Sequence, residues 1–526
     1  MPMTPYTGTF GKPELLHLVR RTLFGAKKSD LSYFANRTLS SVVTELLTVP
    51  LTAPSPPVNT YNTATIVDDF IAPGAIWVNG PSDSATQNAR ERSMRSWWMG
   101  QILNQDRNIL EKMVLFLHNL VPTDIGATFA EPIYAYRYNA LVRQYALGNY
   151  KDFIRKVTIE PAMLYYLDGR YNTKAAANEN YGRELQELFT VGKDSIPYYT
   201  EGDVQMAAQV LTGWSIDTRN LVATFTANNH VTTDKVFSGF YGGTVISTPT
   251  SIPIGSNAGL IELDALLNMI FAKTEVSKYI MRKLYRFFVY YNIDASVERD
   301  VIEPLATTFR NSGYQLAPVL QELFTSQHFF DNAKARACMI KNPVDYVVGM
   351  AHQFGLTYAT APDLTNQYRN WLHFHDSSNS QQMKIGNPPG VEGWGAYHQS
   401  PSYHELWINA ETLRRKKEFS DKLITGAFLG MSFDILGFTA ALDNPSDPNA
   451  LIAEVIELMH VVSDDATIVS QLKSILLSNQ TSDYYWTIAW DAYIAAPTNT
   501  TNLNTVRTRL RTFYQAVTGM AEHHLS

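Results

Sequence analysis

Apolar residues recur at helical spacing along most of this chain, and that period limits the folds open to it more than any other feature. Glu14 to Arg21 and Ser40 to Leu47 read as helices, and so does the long stretch from Ala89 to about Leu120, with Trp97, Trp98 and Met99 on apolar positions. Further helices are expected at 134–146, 150–157, 180–190, 201–212, 259–272, 275–290, 295–311, 315–326 and 343–354, and over most of 408–526. Their ends carry the appropriate chemistry. Thr200-Glu201-Gly202-Asp203 is a capping-box start, Pro161 stops the helix before it, and Gly213 is a C-terminal stop. The period changes only within 221–254, where Leu221 to Thr226 and the Gly-rich segment Val236 to Ile246 predict a small β-hairpin. Residues 49–88 hold Pro, Ser, Thr and Asn without periodicity, a long surface excursion of the kind that is either functional or mobile. The predicted fold is mainly α, a multi-helix globular protein with a small β-hairpin insertion. Its regions are 1–220 with the main motif helix, 221–258 with the insertion, 259–415 with a Gly/Pro/Trp loop, and 416–526.

Composition narrows the function classes. A chain of 526 residues exceeds one ordinary core, and 45% hydrophobic against 17% charged residues describes a packed globular protein. A net charge of −6 supplies no basic field, so nucleic acid is not an expected partner. The single cysteine, Cys338, excludes an internal disulfide framework and any cysteine-cluster metal site. No run of about 18 apolar residues exists to span a membrane, and Met1-Pro2-Met3-Thr4-Pro5-Tyr6 lacks the layout of a secretory signal. The 29 tyrosines suit recognition of sugars or polar polymers, and equally suit packing.

The densest chemistry lies in Asn178-Glu179-Asn180-Tyr181-Gly182-Arg183-Glu184-Leu185-Gln186-Glu187-Leu188-Phe189-Thr190, with three carboxylates, one guanidinium and three amides in thirteen residues. On a helix, Glu179, Arg183 and Glu187 are spaced i, i+4, i+8 and permit an exposed salt-bridge ladder. Asn180, Glu184 and Glu187 form a neighbouring polar stripe, while Leu185, Leu188 and Phe189 point toward a core. The competing reading is a cleft with Glu184 and Glu187 as acid and base, or as oxygen ligands for a cation. Arg183 and His118 would orient the substrate or hold anionic groups, and Glu179, Asn180, His230 and Trp394 would contact the ligand. His118-Asn119 closes an apolar run, at a core boundary where a histidine either titrates or is satisfied by a backbone carbonyl. His17 reads as structural. His373-Phe374-His375-Asp376 falls in a polar loop; on a strand its two histidines would chelate from one side. The prolines of Gly386-Asn387-Pro388-Pro389-Gly390-Val391-Glu392-Gly393-Trp394 hold Glu392 and Trp394 in place, as a plug over the core or a stacking platform. No His-Glu-x-x-His, Walker-type phosphate loop or Gly-x-Ser-x-Gly is present, which counts against a nucleotide hydrolase or an α/β-hydrolase. No metal site or cofactor is assigned; the acidic oxygens leave Ca²⁺ and Mg²⁺ open.

Several blocks resemble one bacterial family, domain of unknown function 1800. They include His17-Leu18-Val19-Arg20-Arg21-Thr22-Leu23-Phe24-Gly25, Lys112 to Asn119, Glu160 to Asp168, the stretch Asn178 to Thr190 with Tyr199 to Val204, Arg282 to Val289, Lys341 to Gly349, and Asn387 to Trp394. Over Asn178 to Thr190 the resemblance concentrates on polar residues that packing does not require. One block departs: the family's His-Asp before a Lys is here His230-Val231 before Lys235. The resemblance brings no agreed reaction. It implies export, periplasmic or extracellular, and a protein partner encoded nearby that is related to the alkaline phosphatase and sulfatase fold; the N-terminus, without a signal, is expected of either a cytoplasmic chain or a mature form with its signal removed. Two functions follow as expectations: an enzyme acting on a polar polymer, glycan or peptide, through a His/Glu/Arg cleft, or a non-catalytic binding or assembly protein.

Overall fold

Helices carry the chain from end to end in a computed structural model that describes residues 3–126, 131–193, 198–331, 335–426, 428, 431–462 and 465–526. The fold is mainly α with two small antiparallel ribbons, and one connected cluster of buried apolar side chains runs from Leu15 to Val517 through all four sequence regions.

The opening helix, Lys12–Thr22, buries Leu15, Leu16, Leu18 and Val19 and ties distant parts of the chain together with its polar residues. Arg20 Nη2 donates to the carbonyls of Glu457 (2.8 Å), Leu458 (3.2 Å) and His460 (2.9 Å), the orphan acceptors at the end of the Pro448–Met459 helix. Arg21 Nη2 donates to Ala335 O at 3.0 Å, and His17 Nε2 reaches Phe329 O at 2.9 Å. The first and last regions are thus joined by side-chain donors on backbone acceptors.

Two local expectations need correction. The helical stretch from Ala89 to Leu120 is two helices, Gln87–Leu103 and Leu110–Leu120. The polar segment containing His373 to Asp376 is no loop but part of a long helix, Leu364–Ser380, started by Asp363, whose carboxylate accepts Asn366 N at 3.2 Å. Two residues apart on a helix is a rotation of about 200°, so His373 and His375 face nearly opposite ways and cannot chelate together. Weak helix formers hid this element; packing on the Gln87–Leu103 helix, with Trp371 and Phe374 buried, supplies what propensity lacks.

The small β insertion consists of two antiparallel ribbons. Strand β1 (Trp214–Asp217) pairs antiparallel with β2 (Val222–Phe225) in the register Trp214↔Phe225 to Asp217↔Val222, and β3 (Lys235–Val236) pairs with β4 (Val245–Ile246). One carboxylate from the Ala258–Phe271 helix pins the insertion. Glu262 accepts from Lys235 Nζ (2.6 Å), His230 Nε2 (2.9 Å) and Thr248 Oγ1 (2.7 Å), and His230 Nδ1 reaches Thr212 O at 2.8 Å. The acid missing beside His230 in the sequence is therefore supplied in space by Glu262.

The Glu262, His230 and Lys235 side chains are shut away from water. Burial alone would raise the Glu262 carboxyl, but the donors His230, Lys235 and Thr248 outweigh it and hold its pKa below the ordinary value of 4.5. A depressed carboxylate stabilises the fold above its unfolded pKa, and that stability is lost as pH falls through the folded pKa. Glu262→Gln leaves the Lys235 ammonium buried without its counter-charge and is predicted to cost about 3–5 kcal/mol at pH 7, read from the denaturant midpoint. The gap from wild type should narrow as pH drops below about 4. A loss under about 1 kcal/mol would show that the cluster does not hold the insertion.

Candidate functional site

The motif helix, Asn180–Glu187, is short, and its position is set by hydrogen bonds made on its inner side. Asn172 Oδ1 accepts Asn178 N and Asn178 Oδ1 accepts Asn180 N, both at 2.9 Å, which fixes the entry turn. Gly182 lies so near the Glu201–Val210 helix that a Cβ there would sit 3.2 Å from Ala208 N and Val204 O. Tyr181 Oη shares a hydrogen bond of 2.8 Å with Thr158 Oγ1, and Tyr241 Oη donates to Gln186 Oε1 at 2.8 Å. Asp203, at the capping box of the following helix, accepts Thr200 N, Ser238 N and Ser238 Oγ, each at 2.7 Å. Packing thus does use much of the polar content in which the family resemblance is concentrated. Tyr181, Gln186 and Asp203 are internal ties joining the motif helix to the Tyr150–Thr158 helix and to the second ribbon.

The outer side carries the acids. Arg183 makes a two-pronged pair with Glu201 (Nη1–Oε1 2.8 Å, Nη2–Oε2 2.6 Å) and a looser contact with Glu179 at 3.4 Å. Glu187 pairs with Lys193 Nζ at 2.6 Å and accepts Tyr199 Oη at 3.3 Å. Glu184 differs. It is half-buried, and no hydrogen bond or ion pair from the described residues reaches its carboxylate. Burial pushes its pKa up; the charges of Glu187 and Glu392 push it further, while Arg183 opposes them.

Glu392 arrives from the Gly/Pro/Trp loop, which is clamped over the end of the Leu110–Leu120 helix. Asn119 Oδ1 accepts Trp394 N at 2.8 Å, Gly386 O accepts Ile125 N at 2.7 Å, and Asn387 Nδ2 donates to Ile125 O at 2.7 Å. Gly393, at φ +83°, fits where any side chain would strike Asn119, since a Cβ would lie 2.3 Å from its carbonyl oxygen and from Oδ1. Glu392 pairs with His398 Nδ1 at 3.1 Å. Phe116, Asn119, Leu188, Lys283, Glu392 and His398 line a crevice there of about 10 Å³, room for about one water.

Glu179, Arg183, Glu184 and Glu187 therefore lie together, with Glu392 near Glu184, but four other expected members do not join them. His118 is 2% exposed, packed edge-on to the rings of Trp98 (5.0 Å) and Tyr138 (6.0 Å), and its Nδ1 has no hydrogen-bond partner among the described residues. Burial pushes its pKa down to about 3, and no carboxylate counters it, so the ring stays neutral and apart from the acids. His230 belongs to the Glu262 cluster. Trp394 is 3% exposed, the plug rather than the platform. Asn180 is exposed, and its Nδ2 donates to Leu167 O at 3.4 Å. His404, behind the loop, is pushed down to about 4 by burial and the nearby Arg21. Glu160 opens one of the resembling blocks but is not read there as a site residue: burial raises its carboxyl to about 7, and among the described residues its Oε1 has no hydrogen-bond partner at the start of the Pro161–Tyr166 helix. The only available signal was an acid immediately before a helix-opening proline. Among the described residues no three His, Cys, Asp or Glu side chains are grouped to hold a metal ion, and no helix is long and apolar enough to cross a membrane.

The family model described as "Protein of unknown function (DUF1800)" matches residues 17–511. No curated protein and no solved structure matches the chain.

A carboxyl raised by burial opposes folding once it must ionise: the cost is absent below its unfolded pKa and complete above its folded one. Glu184→Gln is therefore predicted to melt at or above the wild-type temperature at pH 8, with the difference closing below about pH 4. Carbon-13 NMR of the Glu184 carboxyl should show it titrating above the ordinary range and moving down in Glu187→Gln. Titration at or below the ordinary value, or a lower melting temperature for the Gln variant at pH 8, would contradict this geometry.

Proposed function

From the premise that the chain belongs to the family described as Protein of unknown function (DUF1800), we propose a non-catalytic binding or assembly protein. The outer face of the Asn180–Glu187 helix, with Glu392, receives a cationic group of a protein partner. The observation that carries this reading is the Glu184 carboxylate, half-buried beside two other acids and with no hydrogen bond from the described residues. A lysine or arginine side chain placed there would supply the missing donors and offset the burial and acidic repulsion that raise Glu184. The surroundings suit binding better than chemistry. Arg183 is engaged by Glu201, His118 is sealed in the core, and the adjoining crevice holds about one water. For the partner, the family resemblance points to a protein encoded nearby and related to the alkaline phosphatase and sulfatase fold, and for the compartment to the periplasm or the cell exterior.

One observation favours a second reading, an enzyme acting on a glycan or peptide laid across the open face. Glu184 is raised toward a proton donor's role, while Glu187, on the same helix face, is held by Lys193 and Tyr199 as a base would be. Two assays separate the readings. Co-elution of the full chain with the neighbouring protein at micromolar concentration, weakened at least tenfold by Glu184→Lys and by Glu392→Lys, is the predicted result. Absence of co-elution, together with release of reducing ends or free amines from glycan or peptide substrates that Glu184→Gln abolishes, would replace the first reading with the second.

A further inference from the structure

The excursion over residues 49–86 is not a loose loop but a rigid flap fastened to two helices. Asp68, wholly buried, accepts from Arg90 Nη2 (2.7 Å), Arg90 Nε (3.1 Å) and Tyr61 Oη (2.7 Å). Asn59 Nδ2 donates to Ile71 O at 2.6 Å, and Trp77 Nε1 donates to Ser93 Oγ at 3.0 Å, which in turn donates to Val58 O at 2.9 Å. Trp97 Nε1 holds Ser55 O at 2.7 Å. A segment without regular structure that spends so many buried hydrogen bonds on one conformation is shaped for a purpose other than linkage.

What the flap shapes is a groove of about 320 Å³ against the Gln87–Leu103 and Leu364–Ser380 helices, at the lower end of the size of small-molecule sites. Its walls include Ile66, Ala89 and Leu372, with Thr60 on the flap. Two guanidinium groups line it from opposite helices, Arg92 and Arg369. Both are exposed, and neither side chain makes a hydrogen bond or ion pair among the described residues. Asp376 lies near Arg92 and Asp363 near Arg369, but neither closes to an ion pair. The other arginines of the first helix are occupied: Arg90 by Asp68, and Arg95 by Ile125 O and Asn387. Two like charges facing one partly apolar groove, each with its planar set of donors unused, match an oxyanion attached to a flat apolar body.

The geometry points to this groove as a binding site for an organic oxyanion, a carboxylate or phosphate carried on a ring. The anion bridges Arg92 and Arg369, and the ring lies against Ile66, Ala89 and Leu372. The site uses none of the residues of the acidic face and does not depend on its reading.

The test is titration calorimetry of the full chain with phenyl phosphate and benzoate, beside inorganic phosphate and benzyl alcohol. At least one aryl anion is expected to bind, at least tenfold more tightly than either control, and more weakly as salt is raised. The tighter of the two aryl anions identifies phosphate or carboxylate as the natural group. In R92Q/R369Q affinity should fall at least tenfold with the melting temperature unchanged; should the double variant fail to fold, R92Q and R369Q singly give the same reading. No binding of either aryl anion, controls that bind as tightly, or full affinity in the variants would overturn the assignment.

Discussion

A few buried hydrogen bonds hold the motif helix, and the position of every candidate site residue around it depends on them. An eight-residue helix is too short to be stable alone. It persists because Gln186 is fixed to Tyr241, Tyr181 to Thr158, and the neighbouring Asp203 to Ser238. The first two ties sit where water cannot replace them, so losing one partner exposes the other to the full desolvation penalty. The same ties decide which side of the helix faces outward, and hence that Glu184 faces Glu392 while Gln186 does not.

Elsewhere the same device recurs with different donors. Arg20 closes the end of a helix more than four hundred residues away in sequence, Glu262 gathers His230 and Lys235 under the ribbons, and Asn119 clamps the Gly/Pro/Trp loop. A partly buried carboxylate in the N-terminal turn of the Pro343–Gln353 helix, Asp345, does likewise by pairing with the buried Lys112, in another stretch of the family resemblance. Polar residues shared with a family can thus record internal fastening as readily as chemistry. Only where a polar group is left unfastened, as at Glu184, Arg92 and Arg369, does it remain available to a ligand.

Periodicity made the helices legible because each buries one stripe on a common core, and the capping box at Thr200 marked one start. It failed for Leu364–Ser380, where Asn, His and Ser are weak helix formers and tertiary packing decides. It also missed β1, because Trp214 to Asp217 directly follows a helix and is too short to show alternation. The site was legible only in part. Spacing allowed a ladder of Glu179, Arg183 and Glu187, of which the structure forms only the Glu179–Arg183 contact; it could not show that Arg183 prefers Glu201 or that Glu187 pairs with Lys193. A histidine at the end of an apolar run looks alike whether it opens to a cleft or is sealed among rings, and His118 is sealed. Nor does any local pattern bring Glu392, two hundred residues on, beside Glu184; that meeting is made by Asn119 and Gly393.

Amide hydrogen exchange over residues 180–190, in the wild type and in Tyr241→Phe, addresses the fastening of the motif helix most directly. The amides of Leu185 to Phe189 should be protected nearly as well as those of the core helices, and removal of the single Tyr241 hydroxyl should speed their exchange about fivefold to tenfold, as one buried hydrogen bond of roughly 1 kcal/mol requires. Exchange at the rate of a surface turn in the wild type, or rates unmoved by the substitution, would mean that the helix is held by something other than its inner polar residues.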